Sequence, residues 1–121
     1  MTGHALWSPI AGGTAFLGTY FGGEQNNTWL VTYDASSAQI KTFAVTAAGG
    51  VFEGVYFKRD GQWAMEETGS FADGRRITGT YQIEITNGGD THRWTGSVVV
   101  DGEPGDPLND VWQRVSKPSG M

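Results

Sequence analysis

Apolar and polar residues alternate along most of this chain, in short segments separated by turn dipeptides. In residues 75–86 the apolar side chains share one face of an extended segment, and threonine, glutamine and glutamate share the other: the apolar set is Ile77, Tyr81, Ile83 and Ile85. A period of two is typical of antiparallel strands with one dry and one solvated face. No stretch has the apolar spacing of an amphipathic helix. The pattern therefore predicts an all-β protein.

Glycine-containing pairs divide the second half of the chain at near-regular intervals: Gly49-Gly50, Asp60-Gly61, Asp73-Gly74, Gly88-Gly89 and Asp101-Gly102. Such pairs tolerate the positive φ that tight hairpin turns require. Their succession predicts an antiparallel meander, in which each strand pairs with the next one along the chain.

The segments between the turns predict about eight strands, at residues 14–21, 29–33, 39–46, 51–57, 62–71, 75–86, 91–100 and 111–115. We expect residues 1–13 to be irregular, because Pro9 and Gly12-Gly13 interrupt the alternation, and residues 116–121 to form a tail. The length of 121 residues predicts one domain over residues 1–121.

A meander of this length needs to protect its two edge strands. An up-and-down barrel does so by closing the sheet on itself, and interior glycines such as Gly54, Gly69, Gly79 and Gly96 suit the bends of a small barrel. We therefore expect a small closed barrel. A two-sheet sandwich is the alternative fold.

Composition narrows the classes of partner. The net charge of −5 and the pI near 4.8 disfavour nucleic acids and anionic membrane surfaces as partners. The chain has no cysteine and two distant histidines, so the sequence predicts neither a metal site nor a cofactor. No apolar stretch approaches the ~20 residues of a membrane span. We expect a soluble protein, whose compartment the sequence leaves open.

Two carboxylates share strand faces with apolar residues. Glu67 falls with Trp63 and Met65, and Glu53 falls with the valines of its own segment. A carboxylate on the inner face of a barrel would be desolvated and could serve as a general acid or base. His92 is the third candidate for acid–base chemistry. If the protein is an enzyme, we expect a cyclase, isomerase or hydratase that works without a cofactor.

Aromatic residues give the strongest functional indication. The chain has five tryptophans, four tyrosines and six phenylalanines. Facing inward, they would fill the barrel or line a pocket for a small apolar or aromatic molecule. The predicted ligand-binding residues are Trp29, Tyr33, Trp63, Tyr81, Arg93 and Trp94, with Glu67 or Arg93 orienting the ligand. Facing outward in a row, tryptophans would instead indicate a carbohydrate-binding module. A second copy of the chain is a further candidate partner, which would cover an edge strand and form a homodimer.

The second part of the chain resembles a lipocalin-like (calycin-type) bacterial domain of unknown function that is often attached behind a SnoaL-like domain. The resemblance covers residues 32–115 and rests on YDASSAQIKTF, GGVFEGVYFKRDGQW, TGSFADGRRITGTYQI, GGDTHRWTGSVVVDGE and DVWQRV. Ala35 stands where that family usually has proline, and Phe43 where it often has tryptophan. The resemblance implies a β-barrel with room for a central cavity, and it implies no catalytic residues.

Overall fold

Ten antiparallel strands and two short 3₁₀ turns make up the computed structural model, which describes residues 3–22 and 25–115. The strands are β1 (His4–Ile10), β2 (Ala15–Gly22), β3 (Gln25–Asp34), β4 (Gln39–Thr46), β5 (Val51–Arg59), β6 (Gln62–Ser70), β7 (Arg76–Thr86), β8 (Thr91–Val100), β9 (Glu103–Pro104) and β10 (Leu108–Gln113). Among these residues, no helix is long and apolar enough to cross a membrane.

The strands follow the predicted meander. Each strand from β1 to β8 pairs with the next in sequence, and the final segment pairs with β8. That segment has two parts, because β9 pairs with the end of β8 at Val99 and Val100 while β10 pairs with the preceding residues of the same strand. The backbone N–H of Gly105, between them, donates to the carbonyl of Val98 over 2.7 Å. The all-β antiparallel fold is thus confirmed.

The hairpin turns explain why the meander forms. At Asp60-Gly61 the two φ angles are 53° and 79°, and at Asp101-Gly102 they are 50° and 81°. Two consecutive positive φ angles are the mark of the type I′ turn, whose twist matches that of the strands it joins. These dipeptides therefore lie where the sequence predicts turns.

Strand β1 corrects the prediction that residues 1–13 are irregular. Residues His4–Ile10 pair with β2 along their whole length, and Pro9 lies opposite Phe16. Proline cannot donate to a neighbouring strand, but it is tolerated in an edge strand because one of the strand's sides needs no donor. The predicted tail at residues 116–121 lies outside the described residues.

The sheet is not closed by hydrogen bonds, so the predicted closed barrel is not observed. Within residues 3–22 and 25–115, the ladders run from β1 to β10 and no ladder joins these two ends. An open sheet is also compatible with the sandwich alternative. Side chains nevertheless bring the ends together, since Tyr20 of β2 meets Trp112 of β10 edge to face with ring centroids 5.6 Å apart.

The core lies on one face of β5–β8 and β10. Met65, Tyr81 and Ile83 are buried there, and the partly buried rings of β5, β6 and β8 pack against them. On the opposite face apolar side chains stay exposed, among them Phe43 and Val45. One-sided burial of this kind follows from the alternation in the sequence.

Candidate functional site

All five tryptophans lie on one face of the sheet, which we call the tryptophan face: Trp7, Trp29, Trp63, Trp94 and Trp112. Residues directly opposite each other in an antiparallel ladder share a face, as Trp63, Ile83 and Trp94 do across β6–β8. The opposite face therefore carries no row of tryptophans, the arrangement that would favour a carbohydrate-binding module.

Aromatic rings from β5, β7 and β8 meet in what we call the Trp94 cluster, formed by Tyr56, Trp63, Met65, Tyr81, Ile83 and Trp94. The ring centroids of Tyr56 and Trp94 are 6.1 Å apart at 81°, and those of Tyr81 and Trp94 are 6.1 Å apart at 56°. Two strands separate β5 from β8, so Tyr56 and Trp94 can touch only because the sheet curls strongly around them. The tryptophan face is therefore concave here.

A second aromatic group joins the ends of the sheet. Trp7 and Trp29 stack with centroids 5.6 Å apart at 11°, and Tyr20 packs against Trp29 at 5.9 Å and against Trp112 at 5.6 Å. Trp29, one of the predicted ligand-binding residues, thus belongs to this group and not to the Trp94 cluster.

Glu67 lies on the tryptophan face between two glycines. In the ladders it is opposite Gly54 of β5 and Gly79 of β7. A Cβ atom at Gly54 would lie 3.0 Å from the Cβ of Glu67, so the absence of a side chain there lets the two strands approach closely at Glu67. The phenol of Tyr81 donates a hydrogen bond of 2.9 Å to Oε1 of Glu67.

Burial changes the acidity of this group of side chains. It raises the pKa of Glu67, although the hydrogen bond from Tyr81 acts in the other direction. Burial and the nearby Glu67 carboxylate raise the pKa of Tyr56 to about 12, and the same causes raise the pKa of Tyr81. A half-buried carboxyl with a raised pKa is suited to proton transfer, provided that a substrate can reach it.

An open cleft of about 610 Å³ adjoins the Trp94 cluster, and we call it the notch cleft. It forms because the β5–β6 hairpin extends beyond β4: the β4–β5 ladder ends at Ile40 and Tyr56, whereas the β5–β6 ladder continues to Arg59 and Gln62. Its lining includes Tyr33, Ile40, Tyr56, Lys58, Arg59 and Trp63. Tyr56 and Trp63 belong both to this lining and to the Trp94 cluster, so the cleft leads directly to the aromatic rings.

The wall of the notch cleft at the β3–β4 turn is fixed by Asp34. Its Oδ1 accepts from the backbone N–H and hydroxyl of Ser36 at 3.0 and 2.7 Å, and its Oδ2 accepts from the Ser37 hydroxyl at 2.9 Å. The Lys41 ammonium is 2.9 Å from Oδ2. Lys41 and the two serines hold the pKa of the Asp34 carboxyl far below its usual range. These contacts tie the β3–β4 turn to Lys41 of β4 beside the cleft.

A second open cleft, of about 480 Å³, lies on the opposite face over β3–β7. Its floor is made of Leu30, Phe43 and Val51, and Glu53 and Arg76 lie along it. It contains no tryptophan or tyrosine, and none of its lining residues belongs to the Trp94 cluster. We regard the notch cleft as the better candidate site.

The structure brings together some of the predicted site residues and separates others. Trp63, Tyr81, Trp94 and Glu67 lie together on the tryptophan face, and Tyr33 stands at the rim of the notch cleft, 59% exposed. Trp29 and His92 lie on the same face but apart from this group, and Arg93 and Glu53 lie on the opposite face.

Arg93 and Glu53 lie exposed on the opposite face, Arg93 opposite Glu84 and Glu53 opposite Phe43. Because both side chains lie on the other face of the sheet, neither can contact a ligand on the tryptophan face. His92 lies near the start of β8, with Nε2 3.1 Å from the carbonyl oxygen of Gly89. The ladders place it opposite Ile85 and not in the row of Glu67, so the structure does not unite the two as an acid–base pair.

Sequence reasoning missed Tyr56 and Lys58. Both lie on the tryptophan face of β5, whereas the valines of β5 and Phe57 lie on the other. Because β5 is apolar on both sides, alternation alone does not indicate which face is inside. The aromatic residue directly before Phe57 was the available indication of a second apolar face.

Among the described residues no group of three or more histidine, cysteine, aspartate or glutamate side chains could hold a metal ion. Comparison with protein-family models finds none that matches this chain, and comparison with curated proteins finds no significant match.

Proposed function

We propose that this protein binds a small apolar or aromatic molecule, which enters at the notch cleft and packs against the rings of the Trp94 cluster. The observation that carries the proposal is the position of Tyr56 and Trp63, which line an open cleft of about 610 Å³ and also pack on the cluster. Volumes of this size are usual for small-molecule sites, which are mostly apolar with a few polar groups. The polar groups here are Gln39, Lys58, Arg59, Glu66 and the Tyr33 phenol.

We also propose that the chain is a lipocalin-like domain. The meander order of the strands and the aromatic lining of the concave face support it.

Binding of the neutral fluorescent dye phenylnaphthylamine tests the proposal. We expect saturable binding with a rise in dye emission, and we expect Trp63→Leu to weaken it about fivefold, since a ring contact is worth roughly 1 kcal/mol beyond its area. Trp7→Leu is the matched control, because Trp7 stacks on Trp29 in the second aromatic group. An absence of dye binding, or equal losses in the two variants, contradicts the proposal.

A second candidate function is acid–base catalysis at Glu67. The specific observation is the hydrogen bond from Tyr81 to a half-buried carboxylate on the same concave face. The test is a panel of small substrates for hydration and isomerisation. Turnover that Glu67→Gln abolishes while dye affinity stays unchanged supports the enzyme. Absence of turnover, or turnover that the variant keeps, contradicts it.

A further inference from the structure

The lining of the notch cleft is positively charged in an acidic protein. The chain has thirteen acidic and eight basic residues, excluding histidine. Lys58 and Arg59 line the cleft together with one carboxylate, Glu66. Glu66 faces Arg59 at 4.0 Å, a long contact between side chains that are 54% and 64% exposed. The excess positive charge in the lining is therefore that of Lys58.

Lys58 is the cation of the notch cleft that has no acidic partner. Among the described residues, Lys41, Arg59, Arg75 and Arg114 lie within 4.0 Å of a carboxylate, whereas Lys58, Arg76 and Arg93 do not, and of these three only Lys58 lines the cleft. Its ammonium lies instead 5.2 Å from the ring centroid of Trp63, which is directly opposite it in the β5–β6 ladder. The ring face attracts the ammonium and holds it at the cleft.

We propose that the ligand of the notch cleft is a small aromatic or apolar acid, whose anionic group binds Lys58 while its apolar part packs against Trp63 and Tyr56. The inference rests on the proposed function and adds the chemical class of the ligand. The ammonium and the indole ring are adjacent, so an anion within hydrogen-bonding distance of Lys58 places the neighbouring ligand atoms beside Trp63. Charge-assisted contacts of this kind favour anions. The lining carboxylate, Glu66, forms its 4.0 Å contact with Arg59 and none within that distance with Lys58.

Two dyes with the same ring system test the inference: anilinonaphthalene sulfonate, which is an acid, and phenylnaphthylamine, which lacks the sulfonate and is neutral. We expect the protein to bind the acid more tightly than the neutral dye. Lys58→Gln should weaken binding of the acid about two- to fivefold, the range for an exposed ion pair, and leave binding of the neutral dye unchanged. Added salt should weaken only the binding of the acid.

Arg93→Gln is the matched control, since it removes the same formal charge from the opposite face. We expect it to leave both affinities unchanged. Equal affinity of the acid for the Lys58→Gln and Arg93→Gln variants overturns the inference, while binding of the neutral dye shows that the proposed function stands. If neither dye binds, the proposed function itself is wrong and the inference falls with it.

Discussion

Trp112 of β10 packs edge to face against Tyr20 of β2, with ring centroids 5.6 Å apart at 78°. Among the residues described, no ladder joins the first and last strands of the path, and this ring contact connects the two ends of the curled sheet.

Trp112→Leu should therefore destabilise the fold by about 1–3 kcal/mol, because it removes a half-buried ring and the contact of that ring with Tyr20. Urea unfolding followed by far-UV circular dichroism measures the change. Val111→Ala is the control, since Val111 is the adjacent residue, lies on the opposite face and is 48% exposed. A loss of equal size in both variants would mean that the contact between Tyr20 and Trp112 contributes nothing specific.

Stability should depend on pH through Glu67. Its pKa in the folded state is raised above the ordinary value of 4.5. At pH values between 4.5 and the pKa of the folded state, the folded state therefore binds more protons than the unfolded state. This contribution to stability is complete below pH 4.5 and is lost as the pH rises through the pKa of the folded state.

Glu67→Gln has no charge to bury, and its side-chain oxygen can still accept from Tyr81. We expect the variant to gain stability relative to the wild type as the pH rises from 4 to 8, in urea unfolding at each pH. Glu53→Gln removes the same charge from the exposed opposite face and serves as control. If the free energy of unfolding changed with pH in the same way for Glu67→Gln and the wild type, Glu67 would be solvated in the folded state.

Removing the hydroxyl group of Tyr81 tests its hydrogen bond to Glu67 directly. Tyr81→Phe leaves the half-buried Glu67 carboxylate without this donor, so we expect its pKa to rise further and stability at neutral pH to fall by about 1–3 kcal/mol. Carbon-detected NMR titration of the Glu67 carboxyl measures the first effect. Tyr33→Phe, at a ring that is 59% exposed, should change stability by less than about 0.5 kcal/mol. A lowered Glu67 pKa in Tyr81→Phe would be inconsistent with the bond.

Gly18 allows Trp7 to lie flat on the sheet. A Cβ atom at this position would be 2.7 Å from carbons of the Trp7 ring, closer than contact distance. Gly18→Ala should displace the ring, weaken its stacking on Trp29 and destabilise the fold by about 1–3 kcal/mol. Near-UV circular dichroism reports the change in the tryptophan environment. Gly105→Ala is the control, because a Cβ there meets nothing closer than 3.5 Å. Equal spectra for both variants would argue against the contact.

The fold was largely predictable, because hairpin turns are encoded by two or three adjacent residues. Asp60-Gly61 shows this, with both φ angles positive as its composition indicates. Strand β1 was not predictable from local pattern, since Pro9 signals an interruption and only an unpaired edge makes it tolerable. Whether the ends of the sheet meet depends on how far it curls, which no single segment encodes.

The candidate site was predictable in part. Alternation placed Glu67 on the face of Trp63 and Met65, and the register agrees. It did not show that Glu67 would lie between two glycines and accept a hydrogen bond from Tyr81, because these neighbours come from other strands. The notch cleft depends on the β5–β6 hairpin being longer than β4, a difference in strand length that a pattern of apolar residues does not encode.

The meander order also bears on how fast the protein folds. Each strand from β1 to β8 finds its partner in the next segment of chain, so most of the native contacts close short loops, and such topologies fold quickly for their size. The contact between Tyr20 and Trp112 instead spans nearly the whole chain and closes a large loop, so we expect it to form after the rate-limiting step. Losing it should then speed unfolding and leave the folding rate unchanged, as stopped-flow chevron plots would show. The ring contact would therefore lengthen the lifetime of the folded state by slowing unfolding.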